Sequence, residues 1–215
     1  GPLGDDWQKA IAAFGLPPSG HEHSLGTIGG GNHFAELQQL DQSLDDEALA
    51  ALGIDRKQLL LLVHSGSRGL GEAILREQVD LFGHQGLEAG TAACAHYLVR
   101  HDGALRFAEA NRQLIARRML ERLRAEGGQL LDINHNLVSP AHIAGQDGWL
   151  HRKGATRAWG PGHPELPQAL RASGQPVLIG GSMGTGSYVL AGTRASGSLA
   201  FASACHGAGR WRSSR

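Results

Sequence analysis

Four histidines stand beside residues that bind or polarise ligands: His33 in GGGNHFAE, His64 in LLVHSGSR, His135 in DINHNL and His206 in SACHGAGR. Each of the first three opens or follows a predicted strand. Neutral imidazoles delivered from several strand ends are a common way to hold a divalent metal, and hydrogen-bonded structural histidine is the competing reading of each. His206 differs because it precedes a glycine pair, Gly207 and Gly209, that leaves it reachable. Metal ligation, proton transfer and nucleophilic attack are all open to it. A neutral imidazole nitrogen can attack an α-phosphate to form a phosphoramidate, which divides one difficult transfer into two easier ones. A metal beside it would neutralise charge on the phosphoryl oxygens and the leaving pyrophosphate. Histidines 21, 23, 84, 96, 101, 142, 151 and 163 have no comparable setting and read as structural.

Other polar residues gather around these four. Asn32 and Glu36 can hydrogen-bond a base or orient a ligand, and Arg68 can grip phosphate bidentately or form a surface salt bridge. In IGGSMGTGS, the glycines with Ser182, Thr185 and Ser187 suit either a main-chain cradle for phosphate or a tight turn. The stretch matches neither the Walker A pattern nor the dinucleotide fingerprint. Glycine supplies 32 of 215 residues, about twice the usual share, and is concentrated in these motifs.

The elements that must position these residues follow from periodicity and punctuation. Residues 5–15 read as a short helix, 32–40 as a strand leaving a glycine turn, and 43–53 as a helix capped by Ser43 and stopped by Gly53. A strand over 57–65 places His64 near its end. Residues 69–100 look helical. A second helix over 104–126 has apolar residues at 107, 114, 115, 119, 120 and 123, and its basic face reads as solvated surface. A strand over 129–138 delivers His135 and Asn136. A hairpin and an exposed loop fill 140–175. PVLIGGSMGTGSYVLAG is strand, glycine loop, strand, and LAFASACHGAGR repeats that plan. Function thus collects on loops at strand ends.

Twenty Lys plus Arg balance twenty Asp plus Glu, so a nucleic-acid surface would arise from local arrangement rather than bulk charge. Cys94 and Cys205 are too few for a disulfide scaffold, no span of about 20 apolar residues exists, and the expected setting is cytoplasmic, with no membrane partner. Residues 1–4, GPLG, read as the scar of a cleaved tag.

Six strings occur in a fixed order: GTIGGGNHFAE (26–36), HSGSRGLG (64–71), NHN (134–136), RKGA (152–155), GGSMGTGSYVLAG (180–192) and HGAGR (206–210). Together they resemble the RtcB family of RNA ligases over about residues 20–210. The resemblance implies an α+β fold for 5–215 as a single RtcB-like catalytic domain, with mixed or antiparallel sheets, flanking helices and a glycine-rich-loop active site. It implies a GTP- and Mn2+-dependent ligase, with two manganese ions in the family's complete site. Such a ligase joins RNA 3'-phosphate or 2',3'-cyclic phosphate ends to 5'-hydroxyl ends in tRNA processing and RNA repair. His206 takes the guanylylated position, and His33, His64 and His135 take the metal positions. Asn32, Phe34, Glu36, Asn136, Ser182, Met183, Ser187 and Ala208 match guanylate contacts. Arg68 and Lys153 match binders of the RNA terminal phosphate.

The family's Asp-x-Gly-Cys-Gly element, whose cysteine bridges the manganese ions, has no counterpart here, and neither do its later tyrosine and terminal lysine. The expectation is a truncated chain or one with omitted segments, holding metal weakly. An inactive RNA-end or nucleotide-binding fragment, and a metal-dependent phosphoesterase that dispenses with His206, are the alternatives.

Overall fold

A computed structural model describes residues 6–143, 145–182 and 184–207. Met183, Ala208 and residues 1–4 lie outside these described residues. Helices and strands are mixed, as an α+β chain requires, and they divide into two compact units. The first comprises Gly1–Gln38 and Leu60–Gly128, the second Gln39–Leu59 and Gln129–Arg215.

The first unit is built on α1 (Asp6–Phe14), α3 (Gly69–Phe82) and α4 (Ala92–Leu123), with strands β1 (Phe34–Gln39) and β2 (Leu59–His64) paired with each other. Its core joins Ala10, Leu16, Leu25, Leu70, Ile74, Phe107, Ala110 and Leu114. Of the apolar positions on α4, Phe107, Leu114 and Ile115 are buried, whereas Leu123, at the last turn, is half exposed.

The helical stretch expected over 69–100 is in fact two helices. Gly83 (φ 66°) stops α3 and Gly90 (φ 83°) turns the chain; the Thr91 hydroxyl then accepts a hydrogen bond from the Cys94 amide and starts α4. The basic face of α4 is also not simply solvated. Arg112 donates to the Ser65 carbonyl, and Arg118 donates to the Gly26 carbonyl at 2.8 Å and to Asp6 through Nε at 2.8 Å.

Hydrogen bonds from Arg118, aided by Arg117, hold the Asp6 carboxyl down to about 2 against the opposing effect of burial. A depressed carboxylate stabilises fully above its unfolded value, about 4, and that contribution is lost as pH falls through about 2. Asp6→Asn is therefore expected to flatten the acid limb of a denaturation-midpoint-against-pH curve between about 4 and 2. An unchanged limb would count against the pair.

In the second unit, α2 (Asp46–Ala51) is capped by Asp45, whose carboxylate accepts from the Ala48 amide at 2.9 Å. Ser43, the expected cap, instead donates to Asp46, because Asp45 is the residue one step before the first helical position. Three antiparallel pairs follow: β3 (Asn136–Ile143) with β4 (Gln146–Lys153), β5 (Ala155–Arg157) with β8 (Ser203–Cys205), and β6 (Pro176–Ile179) with β7 (Tyr188–Ala191).

The strand expected over 129–138 is displaced to 136–143. The turn at Gly145 (φ 80°) sets Asn136 opposite Lys153, so pairing begins only there. LAFASACHG does not repeat the strand-loop-strand plan either. Residues Ser196–Ala200 form a short helix, α5, before β8. Buried Arg152 ties this region together, donating to the hydroxyls of Ser203 and Ser139 and to the Phe201 carbonyl. No helix among the described residues is long and apolar enough to cross a membrane.

Candidate active-site elements

In the first unit, β1 begins just after His33 and β2 ends at His64, so the pairing of two strands brings both imidazoles to one end. Their ring centroids lie 5.8 Å apart, and Phe34 meets His64 edge-on at 5.4 Å. With metal–nitrogen bonds of about 2.1 Å, two rings so spaced can reach a common ion. His33 suits that use. Burial and the nearby Arg68 guanidinium hold its pKa below the ordinary imidazole value, against the Ile28 carbonyl, so the ring is biased to its neutral, ligating form. Its Nδ1 is buried with no hydrogen-bond partner among the described residues.

Arg68 occupies a left-handed conformation (φ 57°) at the start of α3, a costly one for a residue with a Cβ. Its Nε donates to the Thr27 hydroxyl at 3.1 Å and its Nη1 to the Ile28 carbonyl at 3.2 Å. The guanidinium thus lies over the glycine turn that leads to His33. Asn32 is exposed on that turn, and Glu36 accepts from Gln38 one pleat along the strand.

A residue outside the sequence-based candidates organises these loops. Asn111, on α4, has no solvent exposure. Its Oδ1 accepts from the amides of Gly26 (2.7 Å) and Thr27 (3.2 Å), and its Nδ2 donates to the Thr27 carbonyl, the Ser65 hydroxyl and the Gly66 carbonyl. The signal was available: an asparagine four residues after Phe107 and three before Leu114 falls on the apolar face of its helix, where a polar group must find partners.

In the second unit, the His206 ring lies on that of His135, with centroids 3.9 Å apart and planes 14° from parallel. His206 Nδ1 is 2.8 Å from the Gly154 carbonyl oxygen. A carbonyl only accepts, so Nδ1 bears the proton and the lone pair of the neutral ring resides on Nε2. Gly154 is itself fixed from both sides, its amide donating to Asn136 Oδ1 at 2.8 Å and its carbonyl accepting the His206 amide at 3.2 Å. At φ 64°, with a Cβ destined to fall 3.3 Å from His206 Nδ1, position 154 favours glycine. Lys153, exposed, ends β4 beside it.

The glycine loop between β6 and β7 closes on itself. The amides of Gly180, Gly181, Ser182, Gly184 and Thr185 donate to His206 O, Ser187 Oγ, Thr185 O, Ser182 Oγ and Ser182 O respectively. Ser182 and Thr185 also share a hydroxyl contact at 3.0 Å. This is a tight turn, and the bond from its Gly180 amide to the His206 carbonyl aligns the loop with the histidine. Of the other histidines, His101 and His142 contact Asp102 and Asp147, and His163 stacks on Trp159.

The sequence model of one family, described as tRNA-splicing ligase RtcB, matches residues 18–215. The RNA-splicing ligase RtcB2 of Escherichia coli (strain ATCC 25922) is 52% identical over 145 residues, covering 66% of this chain and 38% of that protein. The tRNA-splicing ligase RtcB of Thermococcus kodakarensis is 37% identical over 213 residues, 86% of this chain and 44% of that protein. The RNA-splicing ligase RtcB of Mycobacterium bovis is 40% identical over 208 residues, 86% and 48% respectively. The chain spans less than half the length of these relatives.

Proposed function

Because the chain belongs to the RtcB family, we propose that its chemistry is GTP- and Mn2+-dependent ligation of RNA 3'-phosphate or 2',3'-cyclic phosphate ends to 5'-hydroxyl ends. The observation that carries this reading is the Nδ1–H donation of His206 to the Gly154 carbonyl. It presents Nε2 as the nucleophilic nitrogen and holds the ring at a fixed tilt.

Nε2 attacks the α-phosphorus of GTP; an N–P bond forms and the P–O bond to pyrophosphate breaks. An oxygen of the RNA 3'-phosphate then displaces the histidine, which recovers its lone pair, and the guanylate passes to the RNA end. Attack of the 5'-hydroxyl on the activated terminal phosphate forms the phosphodiester and expels GMP. A cyclic end is first opened by water. Manganese, when bound, supplies charge neutralisation at the phosphoryl oxygens.

His33, His64 and His135 are assigned to metal by their family motifs. The half-buried, neutral-biased ring of His33 and the spacing of His33 from His64 fit nitrogen ligation. Asn136 orients Gly154 and, through it, His206. Arg68 and Lys153 are assigned to the RNA terminal phosphate. Asn32, Phe34, Glu36, Asn136, Ser182, Met183, Ser187 and Ala208 are assigned to the guanylate.

The test is ligation of a 3'-phosphate RNA to a 5'-hydroxyl RNA with GTP and Mn2+. Product that requires both, and is lost in Lys153→Ala by on the order of tenfold or more, supports the reading. GTP-independent removal of the 3'-phosphate would replace it with phosphoesterase chemistry, and RNA binding without turnover would replace it with a binding role.

A further inference from the structure

We infer that Asn111 is the positioning residue of the His33/His64 pair: one buried carboxamide fastens the loop that enters His33 to the loop that leaves His64. The consequence for metal affinity rests on the ligand assignment proposed above.

Residues 26–33 and 65–68 follow no regular ladder, so local backbone preference does not fix the separation of the histidines they flank. Asn111 supplies the missing constraint. Its oxygen holds Gly26 and Thr27, and its nitrogen holds Thr27, Ser65 and Gly66. The Ser65 hydroxyl then donates to the Ile28 carbonyl at 2.8 Å, closing the network between the two loops. Every partner is main chain apart from the Ser65 hydroxyl, so the two loop paths move together with one side chain. Asn111 is fully buried, which makes the network rigid and intolerant of partial satisfaction. Groups that orient metal ligands from behind typically change metal affinity ten- to a hundredfold when replaced.

Asn111→Asp separates the two halves of the clamp. The carboxylate still accepts from Gly26 and Thr27, but its second oxygen faces the Thr27 and Gly66 carbonyls with nothing to donate. Ser65→Ala removes one link and leaves the carboxamide intact.

The experiment compares imidazole 15N spectra of the metal-free 215-residue chain with those of both variants, then titrates each with Mn2+ alone and follows the free ion by electron paramagnetic resonance. In Asn111→Asp the His33 and His64 resonances are expected to shift while those of His142 and His151 do not, with Mn2+ binding weakened about ten- to a hundredfold. Ser65→Ala is expected to shift the same two imidazoles by less. A folded Asn111→Asp with unchanged His33 and His64 resonances, and affinity within about twofold, would overturn the inference and leave a purely structural asparagine. Should that variant not fold, Ser65→Ala decides by the same two resonances. If the unaltered chain binds no Mn2+, the ligase reading loses its metal, whereas the metal-free spectra still judge Asn111.

Discussion

A His206→Ala chain incubated with GTP and Mn2+ is expected to gain no mass, while the unaltered chain gains one covalently bound GMP. The expected loss is on the order of 10⁴-fold or more in adduct formation, the scale seen when an attacking nucleophile is deleted. Alanine keeps the backbone bonds of residue 206 to Gly154 and Gly180 and removes only the ring. The variant should therefore remain folded, and denaturation midpoints measured alongside intact mass would verify that. Adduct in His206→Ala would transfer the nucleophile to another side chain. No adduct in either protein, with both folded, would sink guanylylation by this chain.

The second large effect concerns stability. At Gly174 (φ 90°) a Cβ would fall 2.3 Å from the Gly192 carbonyl oxygen and 3.2 Å from that of Trp159; at Gly192 it would fall 2.4 Å from Trp159 O. These are contacts with main chain, and the same segments are cross-bonded, Gln175 N to Trp159 O at 2.7 Å and Gly192 N to Gln175 O at 2.8 Å. No side-chain rotation relieves the overlap. Gly174→Ala combines a left-handed penalty of about 1–2 kcal/mol with overpacking of about 1–3 kcal/mol, so a loss of roughly 3 kcal/mol is expected in denaturant unfolding. Gly162→Ala isolates the first contribution, because position 162 has φ 85° but open space around its Cβ; about 1 kcal/mol is expected there. Equal losses in the two variants would show that the close approach is relieved by backbone movement.

Gly160, Gly174, Gly181 and Gly192 in the second unit thus serve close backbone approach, a role that composition cannot distinguish from ligand binding. The strand-loop-strand of 176–191 was legible because short apolar runs with β-branched residues, PVLI and YVLA, flank the glycines. So was the placement of His64, since five apolar residues in succession can only end at a polar one. The first helix was legible from its stop at Gly15. Less accessible were features decided by partners distant in sequence. The β3 register depends on the turn at Gly145, and the break between α3 and α4 depends on glycines that a helical window absorbs. Arg112 and Arg118 looked like solvent-facing charge because the carbonyls of Ser65 and Gly26 that receive them lie far along the chain. The division into units was hidden for the same reason: each is assembled from separated stretches, so composition changes nowhere at a boundary.

The Asn111 clamp has a consequence for the order of events during synthesis. Gly26 and its anchoring side chain are separated by 85 positions. At about 5–20 residues per second, the turn before His33 waits roughly 4–17 s for its fastening to be made. Through that interval the ribosome-borne chain holds the first of its histidine loops unset, and even His64 arrives before the amide that aligns it. On the ligand assignment proposed above, a paired His33/His64 site is thus complete only after the long helix has been polymerised.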